Sequence, residues 1–334
     1  MKAAQLTTYA KDFQLTVTTL PVPEIAAGEV LVKVKAAAVN PLDQLIGSGS
    51  LRVLYGYARP VTMGNEIAGT VERLGSAVTD FQVGDAVYAR LVIAKLGGFA
   101  EYVAVPARAL AAMPSGLSFD QAVAVPLTGL TAYQALHEKL NLAVGATVFI
   151  PGGSGSFGQL AIPLAKAAGL KVIVSGNARS KQACLDLGAD RYLDYREEDY
   201  WEVLHDVDAV IDTLGAQEIP HELAILKRGG QLLSLKAGPN KLFGQTGGFR
   251  WWQRVLVSLA GLKMDRMAQK QGVTYQFLFV RPDGQQLETV TKLVEQLNIV
   301  PAVDSQVYGL DDVNAAVQAM RTGKHRGKVI LRLD

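Results

Sequence analysis

The run Thr147-Val-Phe-Ile-Pro-Gly-Gly-Ser-Gly-Ser-Phe-Gly-Gln-Leu-Ala-Ile162 constrains this chain more than any other feature. A strand-like apolar stretch leads into Gly153-x-Gly155-x-x-Gly158, and a helical pattern follows at once. This is the layout of a dinucleotide-binding turn. It asks for a tight turn at Gly153, close approach of backbone amides to a pyrophosphate at Gly155, and close helix-to-strand packing at Gly158. Ser156 and Phe157 lie where the helix starts, and unpaired N–H groups there stabilise an anion. No Gly-Lys-Ser or Gly-Lys-Thr follows, which excludes the loop of a P-loop NTPase. Pro163 falls inside the expected helix and predicts a kink, because it removes a backbone hydrogen bond.

The next strand-like run points to the dinucleotide. NAD enzymes usually place Asp or Glu about 20 residues beyond the motif, on the ribose 2′-hydroxyl. Between Lys139 and Leu185 this chain has neither, and the second run instead ends in Ser175-Gly-Asn-Ala-Arg-Ser-Lys181. Arg179 and Lys181 suit a 2′-phosphate, which a carboxylate would repel. Cations are disfavoured in a first helical turn, which adds weight to this reading. NADPH is the expected cofactor, with Ser175 and Asn177 as further contacts.

Strand-like runs at Thr147–Pro151, Lys171–Ser175, Arg191–Asp194, Val207–Asp212 and Gln231–Leu235 alternate with helical stretches such as Ser180–Leu187 and Ile219–Lys227. Gly169, Gly188 and Gly229 stand where helices commonly stop. The order predicts a doubly wound parallel sheet, the Rossmann arrangement. Before it, short β-branched runs broken by turns, including 29–35, 68–74, 85–89 and 100–105, predict a mostly antiparallel β domain. After it come a strand-like 273–280, helices over 284–297 and 311–322, and a last strand over 327–333. The α/β chain thus divides into a first domain over 1–122, completed by 272–334, and a dinucleotide domain over 123–271.

Composition removes other classes. A chain that is 49% hydrophobic and 19% charged is globular rather than disordered, and a net charge of +2 gives no nucleic-acid-binding field. Cys184 is the single cysteine, so no intrachain disulfide forms, and a reducing cytoplasm is the expected setting. No run suggests a signal peptide or a transmembrane helix. The stretch 236–271 carries seven lysines and arginines against one acid, Asp265, with Trp251 and Trp252 inside it. It can lie over a pocket, on a membrane surface, or against a second copy.

Several longer motifs point the same way: Ala37 to Asp43 with Asn40-Pro-Leu-Asp, Gly64-Asn-Glu-Ile-Ala-Gly-Thr-Val71, Val83-Gly-Asp-Ala-Val87, Gly98-Phe-Ala-Glu-Tyr102, Leu127-Thr-Gly-Leu-Thr-Ala-Tyr133, Leu187-Gly-Ala-Asp190 and Gly327-Lys-Val-Ile-Leu331. Through these the chain resembles the medium-chain dehydrogenase/reductase superfamily over essentially its whole length. Within it, the resemblance is to the zinc-free quinone oxidoreductase branch, also called zeta-crystallin-like. It implies a GroES-like first domain, a Rossmann second domain, and a homodimer. Zinc members use thiolate and imidazole ligands. Met1 to Leu136 holds no Cys and no His, Asn65 stands in Gly64-Asn-Glu where zinc members carry Gly-His-Glu, and Asn40 stands near the first cysteine position. No metal site is expected.

Without a Lewis acid the expected reaction is hydride transfer from NADPH to a quinone or an α,β-unsaturated carbonyl, carried by proximity and hydrogen bonding. The resemblance implies Asn40 near the nicotinamide, Thr131 near its phosphate or ribose, Thr213 and Leu214 beside the adenine ribose, and Phe277, Phe279, Gly327 and Lys328 on the nicotinamide side. It sets Tyr195 near the 2′-phosphate. Tyr55 is either a substrate contact and proton donor or an ordinary loop tyrosine. A redox-silent NADPH-binding sensor or scaffold would keep the same loop.

Overall fold

The computed structural model describes residues 1–323 and 325–333, in two compact units: Met1–Leu130 with the segment from Arg281 onward, and Thr131–Val280. The first unit holds β1 (Lys2–Leu6), β2 (Leu15–Thr19), β3 (Glu29–Ala38), β4 (Val61–Thr62), β5 (Glu66–Leu74), β6 (Ala86–Arg90), β7 (Tyr102–Pro106) and β8 (Leu110–Ala112). The second holds β9 (Thr147–Ile150), β10 (Lys171–Gly176), β11 (Arg191–Asp194), β12 (Val207–Asp212), β13 (Leu226–Ser234) and β14 (Thr274–Phe277), and β15 (Ile330–Arg332) returns to the first.

In the first unit, one sheet runs β2-β1-β4 and a larger antiparallel one runs β15-β3-β5-β6-β8, with β7 also paired to β3. Alternating inward side chains close its core around Val30, Val32, Val34, Ile67, Val71 and Val87, and Val313 and Val317 of the helix Val313–Thr322 cover it. β15 lies against Ala36 to Ala38 of β3, which carries Lys328, just before β15, to Asn40, two residues beyond the end of β3.

The second unit is a six-stranded parallel sheet in the order β11-β10-β9-β12-β13-β14. Strands covered on both faces are apolar throughout, and Val148, Phe149 and Ile150 of β9 are fully buried. The sheet order reverses between β9 and β12, where ligands of open α/β sheets bind beyond the carboxyl ends.

Two expectations change, and two further segments take definite form. A sixth strand, β14, joins the parallel sheet by pairing with Gln231 to Ser234 of β13, so residues 274–277 belong to the second unit rather than completing the first. Its half-apolar sequence carries no local mark of which sheet it joins. Gly229 does not end a helix: the helix Ile219–Ala224 stops earlier, and Gly229 sits within β13 at φ 81°, where the β12–β13 register shifts. Residues 241–271 are two helices, Lys241–Thr246 and Trp251–Gln271. The helix Ser156–Ala167 runs unbroken through the buried Pro163.

Candidate active site

β9 ends at Ile150, and the helix Ser156–Ala167 starts at once beyond the loop. The positive φ of the turn falls on Gly152, at 64°. Gly153 and Gly158 are required instead by contact, since a Cβ on Gly158 would lie 1.7 Å from the Gly153 carbonyl oxygen. Gly155, the residue before the helix, has nothing within 4 Å of where its Cβ would stand. The loop is therefore packed from below and open above the helix N-terminus. Such an arrangement can accept a pyrophosphate, with Ser156 and Phe157 in the first turn.

Neighbouring strand ends hold this cradle. Ser175 is buried, and its Oγ accepts a hydrogen bond from Gly152 N at 3.2 Å. Its hydroxyl oxygen thus props the loop. Asn177 uses Oδ1 to cap Arg179 N at 3.1 Å, and its carbonyl oxygen accepts from Tyr192 Oη at 2.6 Å. Arg179 and Lys181 then stand exposed beyond the end of β10, and neither has an ion-pair partner among the described residues. Tyr195 is 57% exposed after β11, with the Arg196 guanidinium 5.8 Å from its ring centre.

On the other side, Thr213 Oγ1 donates to the Pro151 carbonyl oxygen at 2.6 Å. Asp212, fully buried, shapes this turn: Oδ1 accepts from Leu214 N and Gly215 N, each at 2.7 Å, and Oδ2 accepts from Ser234 Oγ at 2.5 Å. Phe277 ends β14 with its ring edge-on to Phe243, and Phe279 follows half-buried. Thr131 is half-buried on the helix Pro126–Tyr133.

The first unit holds a second constellation. Glu66 opens β5 fully buried; Oε2 accepts from Lys328 Nζ at 2.8 Å and from Asn40 Nδ2 at 3.0 Å, and Oε1 from Leu127 N at 2.6 Å. Asn40 Nδ2 also donates to the Ala38 carbonyl oxygen at 3.2 Å. Both amide hydrogens of Asn40 are thus committed within the protein. Asp43 accepts from Asn40 N at 2.8 Å and from Asn65 Nδ2 at 2.9 Å, and complete burial pushes its carboxyl up to about 7. Gly327, at φ 90°, lets the chain turn into Lys328, because a Cβ there would stand 2.5 Å from the Ala302 carbonyl oxygen.

Tyr55 belongs to a separate group, beside Arg90. The Arg90 guanidinium is fully buried at the end of β6, with Nη1 donating to the Leu91 carbonyl oxygen at 2.5 Å. Burial raises the Tyr55 phenol while the nearby Arg90 cation pulls it down, so Tyr55 keeps its proton at neutral pH. The adjacent Tyr57 has spent its proton on the Ile93 carbonyl oxygen at 2.6 Å. Sequence reasoning missed Glu66, Asp43, Arg90 and Asp212 as site residues. Arg90 and Asp212 showed only as charged residues closing apolar strands, whereas Asp43 and Glu66 stood inside quoted motifs without a role.

A parallel sheet reversing beside an open glycine cradle, together with an antiparallel unit carrying a buried polar network, defines a nicotinamide-dinucleotide oxidoreductase. Two family models match the chain: "Alcohol dehydrogenase GroES-like domain" over residues 26–115 and "Zinc-binding dehydrogenase" over 187–331. A trans-enoyl reductase of Aspergillus terreus is 30% identical, covering 94% of this chain and 90% of its own. A chloroplastic quinone-oxidoreductase homolog of Spinacia oleracea is also 30% identical, covering 93% and 91%. The solved quinone oxidoreductase of Coxiella burnetii superposes with a TM-score of 0.83 at 28% identity, covering 100% of this chain and 99% of that one. The chain belongs to the medium-chain dehydrogenase/reductase superfamily, in its quinone oxidoreductase branch.

Zinc, named in one of those descriptions, does not fit the residues present. Asn40 and Asn65 are neutral amides whose Nδ2 groups already donate to Glu66 and Asp43, and the Lys328 ammonium takes the cation's place on Glu66. Three of the four histidines are engaged apart from one another: His137 against Tyr133, His221 against Trp201, and His325 at the Gly327 carbonyl oxygen. A nicotinamide dinucleotide does fit, because the cradle above Gly155 is open and backbone N–H groups line it.

Proposed function

We propose that this chain is an NADPH-dependent reductase of quinones or α,β-unsaturated carbonyls that works without zinc. NADPH, when bound, supplies a hydride to the electron-poor carbon of the acceptor. The observation that carries the cofactor choice is the pair Arg179 and Lys181, exposed and without ion-pair partners beyond β10, in a stretch free of acids from Lys139 to Leu185. Asn177 caps the turn that presents them, and Tyr195 stacked near Arg196 flanks the same corner. Gly153 to Gly158 hold the pyrophosphate, and Thr213 and Leu214 the ribose side.

The acceptor class rests on the two relatives, a trans-enoyl reductase and a quinone-oxidoreductase homolog. On this chain, Glu66 and Lys328 fix Asn40 and the end of β3, while Phe277 and Phe279 exclude water on the nicotinamide side. Tyr55, protonated at neutral pH and beside the Arg90 cation, is the proton donor this reading assigns to the acceptor oxygen. The same reading includes a homodimer, since β14 leaves an unpaired sheet edge among the described residues, and a cytoplasmic setting in which the buried Cys184 stays a thiol.

The test is NADPH consumption by the purified chain with a panel of quinones and short enones. Turnover of at least one class, lowered by Tyr55→Phe on the order of tenfold to a hundredfold with NADPH affinity unchanged, is the expected outcome. Tight NADPH binding with no turnover of any acceptor would overturn the reading.

A further inference from the structure

The helix Trp251–Gln271 carries two faces, and only one of them is used by the fold. Val257, Gly261 and Ala268 are buried, and Gly261 lies so close to the preceding helix that a Cβ would stand 2.4 Å from Asn240 Cα. Opposite them Trp251 is 77% exposed, Leu259 63%, Val255 51%, Leu256 49%, Leu262 38% and Trp252 37%. At roughly 100° per residue these six fall within one arc of about 140°, centred away from the buried side. The exposed Lys263, Arg266 and Lys270 continue the same arc toward the C-terminal end. The outward face is therefore apolar with two tryptophans in its first half and cationic in its second.

Apolar side chains have no reason to crowd the solvent face of a helix whose opposite face is already packed, so something covers them. The charge on the face selects what. Segment 236–271 holds seven lysines and arginines and the single acid Asp265. Asp265 is engaged by Asn240 Nδ2 at 2.7 Å and lies off the outward arc, so a second copy of this helix offers no carboxylate to the cations. A bilayer carrying anionic headgroups answers both halves: Trp and Leu enter the boundary between headgroups and acyl chains, and Lys and Arg meet the negative surface. No described helix is long and apolar enough to cross a membrane, so the contact is peripheral. We propose that the outward face of the helix Trp251–Gln271 docks this protein on an anionic lipid surface.

The test is sedimentation of the full chain with vesicles of phosphatidylcholine alone and with vesicles that also contain phosphatidylglycerol. Binding to the anionic vesicles, a blue shift of tryptophan emission on binding, and release as salt rises are expected. Leu259→Glu weakens binding on the order of tenfold, and the triple variant Lys263→Glu, Arg266→Glu, Lys270→Glu by roughly a hundredfold, with the unfolding temperature unchanged in both. Equal binding to neutral and anionic vesicles, or none to either, overturns the proposal. So does concentration-dependent self-association that Leu259→Glu abolishes, since a second copy would then cover the face.

Discussion

Lys328 Nζ lies 2.8 Å from Glu66 Oε2, with the two side chains only 5% and 0% exposed. Between them they tie the segment ahead of β15 to the start of β5, and Asn40 and Leu127 complete the carboxylate's partners. Removing one member leaves an uncompensated buried charge. Lys328→Met should cost about 3–5 kcal/mol of unfolding free energy, and adding Glu66→Gln should return part of it. Denaturant unfolding of the two variants checks this. A single Lys328→Met within about 1 kcal/mol of the parent would contradict it.

Arg179 and Lys181 should discriminate the two coenzymes. Replacing both with alanine removes charge-assisted hydrogen bonds to a 2′-phosphate and leaves the loop intact, so the Kd for NADPH should rise roughly a hundredfold while that for NADH changes by about threefold or less. Titration calorimetry with each coenzyme reads the difference. Equal losses would reject the assignment.

Two glycines of the loop should fail differently. Gly155→Ala places its Cβ in open space above the helix, so folding stability should hold while NADPH affinity drops on the order of tenfold or more. Gly158→Ala drives its Cβ against the Gly153 carbonyl oxygen, so stability and affinity should fall together. Thermal unfolding paired with NADPH fluorescence separates the cases.

Asp43 should impose a pH dependence on stability. Its carboxyl goes from an ordinary value of 3.8 to about 7 when buried, so between these values the folded chain holds a proton that the unfolded chain has released. Stability contributed by this group is greatest below about pH 4, falls as pH rises toward about 7, and is level above that, a swing of roughly 4 kcal/mol at most. Asp43→Asn should remove this part of the slope. Unfolding free energies of parent and variant at pH 5 and pH 7.5 measure it, and an unchanged slope would sink the claim.

The glycine loop, the acid-free stretch around it and the alternation of strand and helix were legible from the chain alone because each is a local pattern. Backbone dihedrals, side-chain period and charge at a helix start are settled within about ten residues. Gly155 and the Arg179–Lys181 pair belong to that class, and the geometry of Gly155 needs little beyond its neighbours. The motif could not say which glycine takes the left-handed backbone, and Gly152 does.

What tertiary structure alone decided were pairings across sequence distance. Lys328 meets Glu66, β14 joins β13 rather than the first unit, and Ser175 turns its hydroxyl to the loop. The helix Trp251–Gln271 likewise has one face packed and one left bare, though its sequence is apolar on both. Local propensity carries no information about such choices. Whether a buried charge finds its counter-charge, or an apolar face its cover, depends on how the rest of the chain has already folded around it.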